Sequence, residues 1–332
     1  MVALPWFWTR RAGGLRPPED PALVRARLQE EVARQERDQY LLQSGRLPVT
    51  AEQRLAGVGS ATPGALAFTS DLAADEAALL RREGVEALCL VGGSAMYHVG
   101  YAYASSWNDV EVTQLSQAYN EATRLAVGRM ELEARAVRAH GVVGVRYALV
   151  RHEWADRTVE VQLVGTAVRG SGQAPRQPWL CDLSGQEWWA LWQGGYEPLA
   201  LAYGHCTWFV LTQAQDEWTE RSYANAELRH FSDALQHCRN RANGHLLQIA
   251  RDVGATGVVG VHLSRRLDEV RLTGAGEDPA YEREHHNLVL SMIGTAVRRR
   301  AGAAARPATR LVLSLRDGRL VSAEAQAASA IQ

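Results

Sequence analysis

Apolar and polar positions follow the same order of patterns twice along this chain. Each round begins with a short, continuous apolar run, at residues 87–99 and again at residues 199–211, and such a run predicts a buried strand. Apolar positions three and four residues apart come next, and they predict a long helix with one buried face. These helices are expected over residues 119–137 and 231–253. Two further strands close each round, so each predicted unit has the order β-α-β-β.

Strict alternation supports the last strand of the first unit. Val159, Val161 and Leu163 alternate there with Glu160, Gln162 and Val164, as expected for a strand with one face on a core. Residues 141–149 are expected to pair with this strand in an antiparallel sheet.

A short helix is predicted in front of each unit. In the second unit, Ser184 and Glu187 have the S-x-x-E spacing of a capping box, in which the hydroxyl and the carboxylate satisfy free backbone amides. Gly194 and Gly195 are suited to end this helix. The first unit keeps the glutamate, as Glu76, but has alanine in place of the serine.

The two rounds are copies of one sequence. Residues 71–99 return 111 positions later as residues 182–210. Two shorter landmarks also occur twice in the same order: GVVGV at residues 141–145 and 257–261, and GTAVR at residues 165–169 and 294–298. Self-similarity of this length indicates two tandem domains. A chain of 332 residues has room for two domains of about 100 to 150 residues each.

The remaining segments flank the two domains. Residues 1–63 are predicted to hold an aromatic segment, an exposed helix and a linker over residues 45–64. The domains then occupy residues 64–170 and 176–300. Residues 301–332 are predicted to form a hairpin around an Asp-Gly turn, followed by a disordered tail.

Composition narrows the class of protein and its partners. A hydrophobic fraction of 46%, a charged fraction of 22% and a formal net charge of -1 predict a soluble globular protein. Without a surplus of positive charge to neutralise a phosphate backbone, nucleic acid is not expected as a partner. Four cysteines without a CxxC pair do not form a disulfide framework, which favours the cytoplasm. No apolar stretch approaches the ~20 residues of a membrane-spanning helix.

The N-terminal aromatic residues are candidates for docking. Trp6, Phe7 and Trp8 are followed closely by Arg10 and Arg11. Indole rings and guanidinium groups favour a membrane interface, so one hypothesis places the protein peripherally at a membrane. Docking onto the protein's own surface or onto a partner protein is the favoured alternative.

The repeated residues resemble a known family. The long helix that runs from residue 122 into the GVVGV landmark, followed by residues 159–168 with their GTAV ending, looks like the YbjQ-like family of heavy-metal-binding domains. Both copies match, over about two thirds of the chain. The resemblance implies an α+β protein of two tandem dodecin-like β-α-β-β units with antiparallel sheets. It also implies pentameric rings, because single-domain members of that family assemble in this way.

Candidates for a heavy-metal site are confined to the second copy. Metal binding requires three or four ligands about 2.0 to 2.3 Å from the ion, and soft metals prefer thiolate or imidazole. Cys181 precedes the short helix, and His205 and Cys206 lie on the long strand, but none of the three is repeated in the first copy. They would hold zinc, copper or nickel if the strand runs beside the helix start. A cysteine that packs as a small hydrophobic side chain is the alternative.

A second candidate is a stripe of histidines on the long helix of the second copy. His230, His237 and His245 lie along this helix, and such a stripe would line a ring. Trp188 and Trp192 share one face of the preceding short helix, where a core or a subunit interface is the expected use.

Enzyme signatures are absent from the sequence, which contains no GxSxG, GxxxxGK[ST] or HExxH motif. The sequence therefore predicts a non-catalytic homo-oligomer. Five chains would form two stacked rings, one for each repeat, because two unlike domains cannot alternate around a ring of five. Two functions stay open. One is a ring that binds a heavy metal or a small ligand, and the other is a scaffold or adaptor that recruits a partner or a membrane through its N-terminal segment.

Overall fold

Two compact units make up the chain, residues 1–50 and residues 51–332, and both sequence repeats lie in the second. The computed structural model describes residues 21–56, 69–100, 108–151, 158–212, 219, 223, 225–270, 285–301, 311–313 and 320–322. In this described part, the fold is a mixed α+β one with six helices, two four-stranded sheets and a separate two-stranded sheet.

Two helices precede the first repeat. Helix α1 (Pro21–Gln43) lies where the sequence predicts an exposed helix, and its Leu28 and Val32 are indeed exposed. Helix α2 (Val49–Ala56) forms within the predicted linker. Leu55 of α2 is buried, and its neighbours in the helix are mostly exposed. The burial of this one leucine side chain gives α2 a buried face. The composition of the segment, from which a linker was predicted, did not indicate it.

The first repeat has the predicted order of elements. In chain order they are α3 (Ala74–Arg82), β1 (Glu86–His98), β2 (Val110–Glu111), α4 (Thr113–Ala136), β3 (Gly141–Arg151) and β4 (Thr158–Arg169). Strands β1, β4 and β3 are neighbours in that order and pair antiparallel. Helix α4 packs against β1 and β4.

The second repeat has the same order of its two helices and three long strands, but its short strand precedes the first helix. Its elements are β5 (Trp179–Leu180), α5 (Gly185–Gln193), β6 (Tyr196–Val210), α6 (Arg229–Asp252), β7 (Gly257–Val270) and β8 (His285–Arg299). Strands β6, β8 and β7 are neighbours in that order and pair antiparallel. Helix α6 packs against β6 and β8.

Each sheet also takes one short strand from the other repeat. Strand β5 pairs in parallel with β3, so that Gly141 lies opposite Trp179. Strand β2 pairs antiparallel with β6, so that Val110 lies opposite Phe209. The sheet orders are therefore β1-β4-β3-β5 and β2-β6-β8-β7. The repeats are joined by shared sheets, which the sequence did not predict.

One glycine in each repeat lets the long helix lie close to its sheet. A Cβ atom built at Gly93 would stand 1.9 Å from the backbone oxygen of Ala126 in α4. The equivalent atom at Gly204 would stand 1.9 Å from the backbone oxygen of Ala242 in α6. No real side chain tolerates such a distance, so the close approach of helix and strand requires glycine at both positions.

The capping box predicted at the start of α5 is confirmed. The start of α3 has one of the two hydrogen bonds of such a box. The Glu187 amide donates to the Ser184 hydroxyl at 3.3 Å, and the Ser184 amide donates to the Glu187 carboxylate at 2.9 Å. At α3, the Ala73 amide donates to the Glu76 carboxylate at 2.8 Å, but alanine has no hydroxyl to complete the box.

The C-terminal hairpin is also present. Strands β9 (Leu311–Leu313) and β10 (Leu320–Ser322) pair antiparallel with each other and form a sheet of their own. Among the described residues, no helix combines the length and the apolar character that crossing a membrane requires.

Candidate assembly interface

The two repeats meet at a β-bulge in β3. The register of β3 against β4 shifts at Gly144 and Val145, and Gly144 has a φ of +67°, which glycine adopts without a steric cost. The bulge turns two consecutive amides toward the second repeat. Gly144 donates to the Leu183 carbonyl at 2.9 Å, and Val145 donates to the Cys181 carbonyl at 2.9 Å. Backbone groups of one repeat thus bind backbone groups of the other.

The segment that accepts these bonds is held by its own repeat. Thr295, from the closing GTAV landmark in β8, accepts a hydrogen bond from the Asp182 amide at 3.1 Å. The Thr295 hydroxyl donates in turn to the Asp182 carboxylate. Burial raises the pKa of this carboxyl, and the hydrogen bond from Thr295 opposes that rise. The GTAV landmark therefore holds the segment that the GVVGV landmark of the other repeat binds.

Stacked tryptophans fill the space beside this segment. The ring centroids of Trp179 and Trp188 are 6.1 Å apart, and those of Trp188 and Trp192 are 5.3 Å apart. Gly141 leaves room for the first of these rings, because a Cβ there would lie 2.1 Å from the Trp179 indole. Trp188 is buried in an apolar cluster built from both repeats. The predicted use of Trp188 and Trp192 in a core or an interface is therefore confirmed.

Helices α3 and α5 bind each other across the same junction. The Glu76 carboxylate, which caps α3, also accepts a hydrogen bond from the Gly185 amide at 3.2 Å. The Glu83 carboxylate accepts from the Trp189 indole at 3.0 Å and from the Gln193 amide group at 2.7 Å. Each of these bonds joins the first repeat to the second.

Helix α4 of the first repeat covers the outer face of β6. The Asn120 side chain donates to the His205 carbonyl at 2.9 Å and accepts from the His205 amide at 3.2 Å. The Ser116 hydroxyl accepts from the Thr207 amide at 2.9 Å. His205 and Thr207 are completely buried as a result. Helix α4 thus lies between its own sheet and the sheet of the other repeat.

His205 is a titratable side chain enclosed in this contact. Its Nε2 lies 3.0 Å from the Thr123 hydroxyl oxygen, and its Nδ1 lies 2.9 Å from that of Ser291. The Thr123 hydroxyl donates to the Tyr119 carbonyl at 2.9 Å, so its oxygen accepts from Nε2–H and Ser291 donates to Nδ1. Both nitrogens of the neutral ring are satisfied. Burial lowers the pKa of His205 to about 3, and the neighbouring His245 contributes to the decrease.

The predicted metal ligands Cys181, His205 and Cys206 do not form one site. Neighbouring residues on a strand point to opposite faces, so His205 faces α4 while Cys206 packs beside Cys238 of α6. Cys181 belongs to the tryptophan-containing cluster, and burial raises the pKa of its thiol to about 12. Within the described residues, no three His, Cys, Asp or Glu side chains are placed to hold a metal ion. The residues proposed for zinc, copper or nickel therefore serve packing and hydrogen bonding.

The predicted histidine stripe lies on α6, but its members have separate surroundings. The Nε2 atom of His230 lies 2.6 Å from the Asp109 carboxylate, and the His237 ring stacks on Trp208 at 5.2 Å between centroids. His245 is exposed. The predicted docking residues lie outside the described part of the chain: Trp6, Phe7 and Trp8.

The groups that join the repeats were not identified as functional from the sequence. Gly144 and Val145 appeared only as part of a landmark, although glycine at the same place in both copies was a signal of a bulge. The carbonyls of Cys181 and Leu183 carried no signal, since every residue has a carbonyl group.

The contacts described above form an interface between two protein modules. A comparison of sequences shows that the chain belongs to a family that includes an encapsulin nanocompartment protein. That relative is the encapsulin nanocompartment protein Rv1762c of Mycobacterium tuberculosis (strain ATCC 25618 / H37Rv). The two sequences are 33% identical over 229 residues, which are 67% of this chain and 85% of the relative. No family model matches the chain, and no solved structure matches it.

This relationship corrects the assignment made from the landmarks. The chain is not a member of the YbjQ-like family of heavy-metal-binding domains, because the relative that matches two thirds of it is an encapsulin nanocompartment protein. Packing explains why the landmarks misled: Gly144 forms the bulge, and a Cβ at Gly165 of GTAV would lie 2.7 Å from the Val142 side chain of GVVGV. Such glycines report how strands pack and carry no information about a metal. The likeness to dodecin stays a prediction.

Proposed function

We propose that this chain is a structural, non-enzymatic protein that assembles with copies of itself into the shell of a protein nanocompartment. The relationship to the encapsulin nanocompartment protein over 85% of that relative's length is the observation that carries the proposal. Relatives that share this much of their length share a fold, and an assembly surface is a property of the fold's exterior.

The polar residues of the repeat junction support a structural role. Thr123, His205 and Ser291 are buried, and the hydroxyls of Thr123 and Ser291 each form a hydrogen bond with the His205 ring. A catalytic group must contact a substrate within hydrogen-bond reach, and these side chains are enclosed by helix and sheet. Their arrangement suits a rigid joint between modules.

Size measurements on the purified full-length protein test the proposal. Light scattering after size-exclusion chromatography should give masses many times the 36.5 kDa of one chain, and negative-stain electron microscopy should show closed particles. Small oligomers without closed particles would refute the proposed shell but would still support self-association of the chain. A monomer at micromolar concentrations would refute both.

Several finer predictions from the sequence stay proposals. They are an assembly of five chains in two stacked rings, a cytoplasmic location, dodecin-like units, and a scaffold or adaptor function of the N-terminal segment. The last has a direct test, because deletion of residues 1–44 should abolish recruitment to a partner or membrane and leave self-association intact. Unchanged localisation of the shortened chain would refute it.

A further inference from the structure

The junction between the repeats has an unoccupied counterpart on the second repeat. Strand β7 keeps the bulge of β3: its register against β8 shifts at Gly260 and Val261, and Gly260 has a φ of +65°. These residues correspond to Gly144 and Val145 of the first repeat. Among the described residues, no group outside the sheet accepts a hydrogen bond from the two bulge amides of β7. The second repeat therefore carries the same binding device without its partner.

Exposure of the side chains shows the same difference. Val145 at the occupied bulge is 4% exposed, whereas the equivalent Val261 is 42% exposed. Gly141 is covered by the Trp179 ring, whereas a Cβ at the equivalent Gly257 would meet nothing within 4 Å. Among the strands that the structure describes, β7 is the outer strand of its sheet. An unpaired strand edge of this kind readily binds another strand.

The matching segment of the first repeat has the same internal hydrogen bond but is less buried. Residues 69–72 correspond to residues 180–183, and Thr166 accepts a hydrogen bond from the Asp71 amide at 3.0 Å, as Thr295 does from Asp182. Residues 180, 181 and 183 are buried under the first repeat, whereas residues 69, 70 and 72 are only half-buried. Residues 69–72 of the first repeat thus have the internal hydrogen bond of the bound segment, but no bulge binds them among the described residues.

The outer face of β1 gives a third pair of surfaces. Thr207 of β6 is completely buried beneath α4, whereas the equivalent Met96 of β1 is 54% exposed. Burial of the outer side of the long helix also differs between α4 and α6. Three residues of α4 that are buried at the junction have partly or fully exposed equivalents in α6: Ser116, Tyr119 and Thr123 correspond to Ser232, Leu235 and Arg239.

We propose that chains associate head to tail through a second copy of the junction that joins the repeats. The bulge of β7 and the outer side of α6 in one chain bind residues 69–72 and the outer face of β1 in the next chain. The Gly260 amide would donate to the Leu72 carbonyl and the Val261 amide to the Ser70 carbonyl, as Gly144 donates to Leu183 and Val145 to Cys181. The proposal deepens the self-assembly proposed above and rests on it.

The two surfaces are different patches, so the contact is heterologous, and it forms a ring when the rotation from one chain to the next closes, as the closed shell proposed above requires. Both repeats of a chain then lie side by side in one ring, so this arrangement and the two stacked rings predicted from the sequence are mutually exclusive proposals. The number of repeats around the ring is even, because each chain contributes two.

Two single substitutions block the two surfaces separately. Val261→Arg places a charged side chain at the bulge of β7, and Met96→Arg places one on the outer face of β1. Both residues are exposed in the single chain, so each variant should fold, which circular dichroism checks. Light scattering should give the 36.5 kDa mass of one chain for each variant alone. An equimolar mixture should give twice that mass, because the open end of each variant fits the open end of the other.

Leu267→Arg is the matched control. Leu267 is 49% exposed on the same strand, six residues beyond the bulge, and arginine occupies the equivalent position of the first repeat as Arg151. This variant should assemble like the wild type. Full assembly of either blocking variant, or a mixture that remains monomeric, would overturn the head-to-tail contact while wild-type assembly still supports the proposed function. A monomeric wild type would overturn both.

Discussion

Protonation of His205 should make the fold sensitive to mild acid. The ring is buried between α4 and β8, and its neutral form is bonded on both sides by Thr123 and Ser291. A proton on Nδ1 would face the Ser291 hydroxyl, which now donates to that atom, and the charge would have no water around it. Lowering the pH should therefore destabilise the contact between α4 and the sheet of the second repeat.

The size of the effect follows from the two pKa values. Burial lowers the pKa of His205 from 6.5 to about 3 in the folded protein. Because the folded state holds the proton less tightly, stability is complete above the unfolded pKa and is lost as the pH falls from 6.5 toward 3. At pH 5, the unfolded histidine is about 1.5 pH units below its pKa, and each unit is worth about 1.36 kcal/mol. The free energy of unfolding should therefore fall by about 2 kcal/mol between pH 7 and pH 5 because of this residue.

Urea unfolding of the wild type and of His205→Gln at both pH values isolates this contribution. Glutamine keeps a donor and an acceptor but does not titrate. The other titratable groups contribute equally to both chains, so the wild type should lose about 2 kcal/mol more than the variant on acidification. Equal losses in the two chains would refute the reasoning.

Three further predictions concern packing and reactivity. Gly204→Ala should destabilise the fold by about 3 kcal/mol because its Cβ would collide with the Ala242 carbonyl oxygen. Gly244→Ala has open space around the new Cβ, so it should be neutral or stabilise the fold by up to about 1 kcal/mol. Similar urea midpoints for the two variants would contradict this prediction. Trp188→Ala should cost about 3 to 5 kcal/mol of unfolding free energy, and a loss under about 1 kcal/mol would show that the stacked tryptophans do not hold the junction. With its pKa raised to about 12, the buried Cys181 thiol should resist labelling at pH 8 until urea unfolds the chain, and rapid labelling located by peptide mass spectrometry would disprove its enclosure.

The strands and helices could be predicted because hydrophobic periodicity reports burial. Predicted strands at residues 87–99 and 199–211 match β1 and β6 within a few residues. Helix α4 begins at Thr113, earlier than predicted, and the reason lies in the other repeat. Its first turns bury polar Ser116 against β6, where a hydrogen bond to Thr207 replaces apolar contact. Periodicity of apolar residues cannot detect a face that is buried through polar groups.

The bulge contact between the repeats could not be predicted because backbone groups alone make its hydrogen bonds. The bulge amides of Gly144 and Val145 bind carbonyls, and no residue type is required to supply a carbonyl. The metal-site prediction failed for a related reason. It treated His205 and Cys206 as one pair, although successive side chains of a strand face opposite sides of the sheet.

Fusion of two modules into one polypeptide changes how an assembly of this kind responds to dilution. The joint inside a chain acts at the millimolar effective concentration that a short tether provides, so it stays closed however little protein a cell makes. The proposed joint between chains would instead depend on the concentration of the protein. If chains associate head to tail as proposed, a doubled module halves the number of encounters needed to build each ring. The strength of one contact, at β7, would then set the concentration at which particles appear or dissolve.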